Sequence, residues 1–293
     1  MPSPRVTVIV ATYNWSTVLP YAIASVLDQT MRDFELLVVG DGCTDDSEQV
    51  VAGIRDPRVR WINLPANTGH QFGPNNRGLE EAKGEFIAYL GHDDLWLPHH
   101  LQCAVDALEL TGAAITYSLV IRIQPDCEIG RLAMPMPDHG LVGPPSCTVY
   151  RRSVTEKIGG WGDYRKLDLT PEIDLLRRAQ AAGFQLTQVP RLTVVKFPAA
   201  KRKDVYRERP FHEQAAWLER IRAEPDFEAT QLVRVIMSGE AARAMPARTL
   251  IPLFAREWKQ RLIWRLSRRS GLTAMFWRAR GSGIDYVKRF KGL

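Results

Sequence analysis

Short runs of apolar, β-branched residues alternate along this chain with stretches whose apolar positions recur every three to four residues. Residues 5–12 (RVTVIVAT) and 34–40 (FELLVVG) are too uniformly apolar for half-exposed strands and predict strands buried on both faces of a parallel sheet. Between them, 18–27 places Leu19, Ile23, Val26 and Leu27 on one helical face. Strand, helix and strand thus follow one another within about forty residues, the spacing of a βαβ unit. The alternation predicts further helices over 47–54, 76–82 and 98–110, and strands over 59–64, 85–90 and 114–122. In an open α/β sheet, ligands bind outside the carboxyl ends of the strands, so the loops after Ala11, Val39 and Leu90 are expected to converge on one crevice.

Residues 125–145 hold five prolines and three glycines and are expected to be irregular and mobile. A helix over 171–182 and a late edge strand over 190–197 (PRLTVVKF) follow, and the pattern beyond Pro210 is helical to the end. This predicts an α/β unit over 1–205 and a helical, basic region over 206–293, without internal repeats.

Apolar content of 45% and charged content of 25% are ordinary for a folded globular protein. Charge is distributed unevenly. From Arg256 onward eleven Lys or Arg face two acids, a net +9, so the first 255 residues carry −3 of the chain's +6. A basic pI confined to the tail argues against a nucleic-acid binder. Cys43, Cys103, Cys127 and Cys147 lie far apart, outside the spacings of zinc or redox sites, and read as free thiols. The N-terminal residues lack a secretory-signal pattern. No apolar run approaches the roughly 18 to 20 residues needed to cross a bilayer. The expected location is cytoplasmic.

Three loops and one helix carry candidate chemistry. The first loop is ATYN at 11–14 and the second VVGDGCTDDS at 38–47. An acid at the end of a buried strand followed by glycine suits a nucleotide base and ribose, and it equally suits plain turn chemistry. The third, LGHDDLWLPHHL at 90–101, is sharper. Adjacent acids repel unless a positive partner lies beside them, and a divalent cation shared with substrate phosphates, Mn²⁺ or Mg²⁺, is the economical one. Helix capping by Asp94 ahead of Pro98 is the competing reading. His92, His99 and His100 do not form a zinc site: no third well-spaced ligand accompanies them, and His99 and His100 point to different helical faces. In the helix that starts at Pro171, Glu172 and Asp174 lie in the first turn, where the dipole favours anions. Either could complement that dipole, and Glu172 could also serve as a general base for an attacking hydroxyl.

Taken in order, VTVIVATYN, VVGDGCTDDS, NTGHQFGPNNRG, GEFIAYLGHDDLWLP, GGWGDY and PEIDLLRRAQAAG resemble the motifs of family 2 glycosyltransferases of the GT-A fold, over roughly residues 5–197. The resemblance implies a mixed α/β sheet flanked by helices, a nucleotide-diphosphate sugar donor of the UDP-sugar type, and an inverting mechanism. It implies that Thr12 and Tyr13, in the loop closed by Asn14, lie beside the base, that Asp41 binds uracil or ribose, and that Asn76 shapes the donor pocket. Asp93 would hold the metal on the diphosphate. Glu172 would be the inverting base, with Asp174 its nearest competitor. Four positions depart from the family pattern: Gly40 and Gly91 stand where acids are usual, Asn75 where Arg is usual, and Glu172 where Asp is usual.

Asp94, Trp161 and Lys201 are candidate acceptor or phosphate contacts. Lys196, Arg202 and Lys203 could close over the phosphates with Lys201, although KRK also reads as an ordinary solvated run. The tail from 254 interleaves Phe254, Trp258, Trp264 and Trp277 with its cations, as basic segments at anionic membrane surfaces do. It would bring the enzyme to a lipid-linked acceptor at the inner face of the membrane. Alternatively it packs on the catalytic unit or on a second copy, making a homodimer. Against the transferase stands a non-catalytic nucleotide-sugar or glycan binder on a degenerate GT-A fold. A nucleotidyltransferase is disfavoured by the lack of a Gly-rich phosphate loop near the N-terminus.

Overall fold

A computed structural model describes residues 3–125, 130–133, 135, 143–199, 202, 204–208 and 213–243. One mixed sheet of nine strands organises them. Its centre is parallel: β1 (Val6–Thr12) lies between β2 (Phe34–Gly40) and β4 (Phe86–Gly91), and β2 pairs outward with β3 (Val59–Asn63). Beyond β4 the sheet turns antiparallel through β8 (Thr148–Arg151) and β6 (Ile115–Arg122), and then parallel again at β9 (Leu186–Lys196). The two-residue β5 (Leu95–Trp96) closes that side on β9, and β7 (Arg131–Ala133) pairs with β6.

The uninterrupted apolar runs are buried on both faces because helices cover both. Val6, Val8 and Val10 face α1 (Leu19–Leu27) and α4 (His100–Thr111), while Ile9, Leu37 and Tyr89 face α3 (Phe72–Glu81) and α6 (Pro171–Ala181). The short helices α2 (Ser47–Ala52) and α5 (Arg152–Ile158) fill the connections after β2 and β8.

One expectation is corrected. The strand expected at the edge over 190–197 starts earlier, at Leu186, and lies inside the sheet between β6 and β5, which explains why Leu192, Val194 and Val195 are fully buried. The described helices beyond residue 205 add to the same core. After α7 (Val205–Glu208), helix α8 (Gln214–Ala223) puts Trp217, Leu218 and Ile221 against Leu95, Leu97, Ile121 and Phe197, and Phe227 of α9 (Phe227–Arg243) joins them. Parts of the segment 125–145, with Cys127, and the whole tail from 244 lie outside the described residues. Among the described residues, no helix is long and apolar enough to cross a membrane.

Candidate active site

The sheet register brings the three loops together: Thr12 stands opposite Gly40, and Ala11 opposite Gly91. The backbone N–H of Asp41 donates to the Thr12 carbonyl across the first two strands at 2.8 Å. Asn14 adopts a left-handed conformation (φ 45°) that Asn tolerates better than most residues. Its amide then stitches the first loop to the second, with Oδ1 accepting from the N–H groups of Thr44 (2.7 Å) and Asp45 (3.2 Å). Tyr13 is half-buried beside it. The Asp41 carboxylate is nearly buried and accepts both the N–H (2.9 Å) and the hydroxyl (2.8 Å) of Thr68.

Gly40 has a steric reason. A Cβ there would lie 2.5 Å from Asn63 Oδ1 and 2.7 Å from the Trp61 ring. Asn63 uses its amide to brace the second loop, accepting from Cys43 N–H and donating to Cys43 O, each at 2.9 Å.

In the third loop, His92 Nδ1 meets Thr12 Oγ1 at 3.0 Å and its ring packs edge-on against Trp15, which ties the metal-type motif to the first loop. Asp93 is 7% exposed, and its backbone carbonyl accepts from Gln214 of α8 at 3.1 Å. Asp94 does not face the crevice. It has no exposed surface: Oδ2 receives Lys196 Nζ (2.9 Å) and Ser146 Oγ (2.6 Å), and Oδ1 receives the N–H of Phe197 (3.2 Å). This corrects two expectations: Asp94 as an acceptor or phosphate contact and Lys196 as a group closing over phosphates. Nor does Asp94 cap a helix, since the cap of α4 is His99. Burial pushes the Asp94 carboxyl up while Lys196 opposes that; burial would lower the Lys196 ammonium, but Asp94 and Asp93 hold it above its ordinary value.

Arg202 is likewise engaged in structure, donating to the Pro198 carbonyl and to Glu213. Lys201 and Lys203 lie outside the described residues. Asn76 spends its amide on the backbone of Trp161, donating to its carbonyl (2.9 Å) and accepting from its N–H (2.7 Å). The Trp161 ring stands edge-on against Tyr89 of β4, with centroids 5.0 Å apart. Asp174 is paired with Arg178 at 2.8 Å, and the same guanidinium holds the carbonyls of Ile158 and Gly160. Glu172 is half-buried at the start of α6, near enough for its charge to add to the upward shift that burial imposes on the Tyr150 hydroxyl.

Sequence reasoning missed Ser146, Gln214, Asn63 and Thr68. Each acts through a single hydrogen bond or a pair of them made across long stretches of chain, and no local pattern marks such partners. Among the described residues there is no group of three or more His, Cys, Asp or Glu able to hold a metal. Asp93 nonetheless suits Mn²⁺ or Mg²⁺, because these hard ions are commonly held by one or two carboxylates together with substrate phosphates.

Known proteins place this geometry in context. The family model described as Glycosyl transferase family 2 matches residues 7–159. The GalNAc(5)-diNAcBac-PP-undecaprenol beta-1,3-glucosyltransferase of Campylobacter jejuni is 36% identical over 96 residues, 31% of this chain and 30% of that protein. The chain spans about a third of the length of the curated relatives it matches (33%, 32% and 30% for three of them). Among solved structures, S. aureus TarS 1-349 in complex with UDP-GlcNAc superposes with a TM-score of 0.57 at 17% identity, over 79% of this chain and 70% of that one. The mannosyltransferase PcManGT from Pyrobaculum calidifontis, in complex with GDP-Man and Mn²⁺, also gives 0.57 at 17% identity, over 94% and 87%. At such identities the likeness shows the fold.

Proposed function

Because the chain belongs to glycosyl transferase family 2, we propose that it moves a sugar from a nucleotide-diphosphate donor, a UDP-sugar by first choice, to a hydroxyl of a glycan or lipid-linked glycan, with inversion. The observation that carries this reading is the register that sets Thr12, Asp41 and Asp93 at the adjoining carboxyl ends of β1, β2 and β4. Asp41, already oriented by Thr68, would accept from the base or ribose, with Tyr13 alongside. Asp93 would hold Mn²⁺ or Mg²⁺ on the diphosphate, where the bound ion supplies Lewis-acid neutralisation of the leaving group.

The acceptor oxygen attacks the anomeric carbon as the bond from that carbon to the diphosphate oxygen breaks, and the acceptor's proton passes to a carboxylate. Glu172 is assigned that proton, because Asp174 is engaged by Arg178. The two-way clamp of Asn76 on Trp161 supports a role for the 159–163 turn as a wall of the acceptor side. A lipid-linked acceptor agrees with the undecaprenol-linked acceptor that the Campylobacter relative is named for and with the basic tail.

Calorimetric titration with UDP and with GDP, each with and without Mn²⁺, on wild type and Asp93→Ala tests the donor class and the metal. Binding of one nucleotide that requires metal and is lost in the variant is the expected result. No binding under any condition removes the transferase reading. Binding without sugar transfer to any acceptor would favour a glycan-binding module instead, as the missing acids at Gly40 and Gly91 would allow.

A further inference from the structure

Two adjacent acids leave the end of β4, and they differ in surroundings: Asp93 keeps 7% of its surface exposed, whereas Asp94 keeps none. Asp94 is drawn inward by three donors, of which Lys196 is the charged one. Ser146, which donates to Asp94, also accepts the N–H of Gly91 at 3.1 Å, so the same network grips the strand end from which Asp93 springs. The Asp93 carbonyl is held separately by Gln214. Its backbone is therefore fixed from both sides, by α8 and by the end of β9.

Gly91 belongs to this arrangement. A Cβ at that position would stand 3.0 Å from Asp94 Oδ2 and 3.2 Å from Asp93 Oδ1, pressing on both carboxylates at once. The missing acid leaves room for Asp94 to fold back onto its lysine.

We propose that Lys196 is a positioning residue: by neutralising Asp94 and holding it inside the sheet, it withdraws that acid from the donor and leaves Asp93 as the single carboxylate aimed at the metal and diphosphate. This rests on the transferase reading above. It assigns the second acid of the motif to the scaffold. A partner 102 residues away in the chain supplies the charge that lets two neighbouring acids coexist.

The test is a double-mutant cycle read by binding. Mn²⁺ affinity in the presence of saturating UDP, or of GDP if that is the nucleotide bound, is followed by the electron paramagnetic resonance signal of free Mn²⁺. Wild type, Lys196→Met, Asp94→Asn, the double variant and Lys196→Arg are compared, with a thermal melt for each. Each charge-removing single variant is expected to weaken binding by roughly 10- to 100-fold, the range for residues that orient a metal ligand. The double variant, in which no buried charge is left unpaired, and Lys196→Arg are expected to recover to within about threefold of wild type.

A double variant as weak as Asp94→Asn would mean that Asp94 itself touches metal or nucleotide, and the proposal falls. Melting temperatures that shift while every affinity stays at the wild-type value would reduce the pair to a structural strut, which also overturns it. Should a single variant fail to fold, the double variant against wild type still decides by the same threshold. Wild type that binds no metal–nucleotide pair defeats the transferase reading first; a normal wild type with an additive cycle defeats only the positioning role.

Discussion

At position 40 the second strand ends without a side chain because the space above it is taken. The Trp61 ring and the Asn63 amide, both from β3, occupy the place where the family's first acid would stand, and Asn63 then braces the loop backbone at Cys43. Gly40→Asp should therefore cost about 1–3 kcal/mol through overpacking and weaken nucleotide binding, read by urea unfolding and calorimetry. A variant that gains affinity without loss of stability would contradict this account. His100 supplies a pH-dependent counterpart. Its Nδ1 donates to Thr193, whose hydroxyl is committed to Ser118, its ring stacks on Trp96, and burial, with His99 adding, pushes its pKa down to about 3. The unfolded chain takes up that proton near pH 6.5 and the folded one does not, so stability is full above that value and falls as pH drops below it. Between pH 7 and pH 5 the wild type should lose about 2 kcal/mol more than His100→Gln, measured by urea midpoints at each pH; equal losses would show that the folded ring titrates normally. At this scale the strand-end acids could be read from the chain, since a carboxylate after a buried strand is a local pattern. Their fates could not. Asp94 is decided by Ser146 and Lys196, 52 and 102 residues away.

Helix α6 shows how one element separates two acids that look alike in sequence. Pro171 opens it, and Glu172 and Asp174 both fall in its first turn, where the helix dipole favours either. One turn later Arg178 returns to Asp174 and fastens the 158–160 backbone with the same guanidinium, which places Asp174 in a structural bracket. If Glu172 takes the acceptor's proton, Glu172→Gln should lower kcat by roughly 10²- to 10⁴-fold with nucleotide affinity unchanged. Asp174→Asn should instead lower the melting temperature and affect kcat far less. The reverse ranking, from steady-state sugar transfer alongside melts of both variants, would move the base to Asp174. Elements of this kind, long enough to repeat their period, were readable: β1, β2, β4 and α6 lie within a residue or so of the positions their apolar pattern predicts. The two-residue β5 and the four-residue β8 fall below the length at which periodicity carries information. The sequence points to an edge position for β9 because its neighbour there is β5, which leaves almost no trace in the sequence.

Across the whole molecule, the C-terminal region begins inside the catalytic unit. Helix α8 contributes Trp217, Leu218 and Ile221 to the core beneath β5 and β9, and Gln214 to the Asp93 carbonyl. A helical pattern alone does not say which surface a helix covers, so the packing of α8 on this core is not legible in the sequence. The charge boundary is different in kind, because it is a property of the sequence wherever the tail lies. A chain ending at Ala255 carries −3, and the full chain +6. An anionic bilayer should repel the first and attract the second, with each Lys or Arg near the surface contributing about 1 kcal/mol. The full chain is expected to float with phosphatidylglycerol-containing vesicles at low salt and to dissociate as ionic strength rises and the Debye length falls from about 10 Å at 0.1 M. The shortened chain, which keeps every described element, should stay in the aqueous fraction while still binding nucleotide. Flotation of both chains to the same extent would locate the membrane contact outside the tail. Failure of both to float would leave the tail's apolar and basic residues to be satisfied by protein, and sedimentation of the full chain as a dimer would then identify that protein as a second copy.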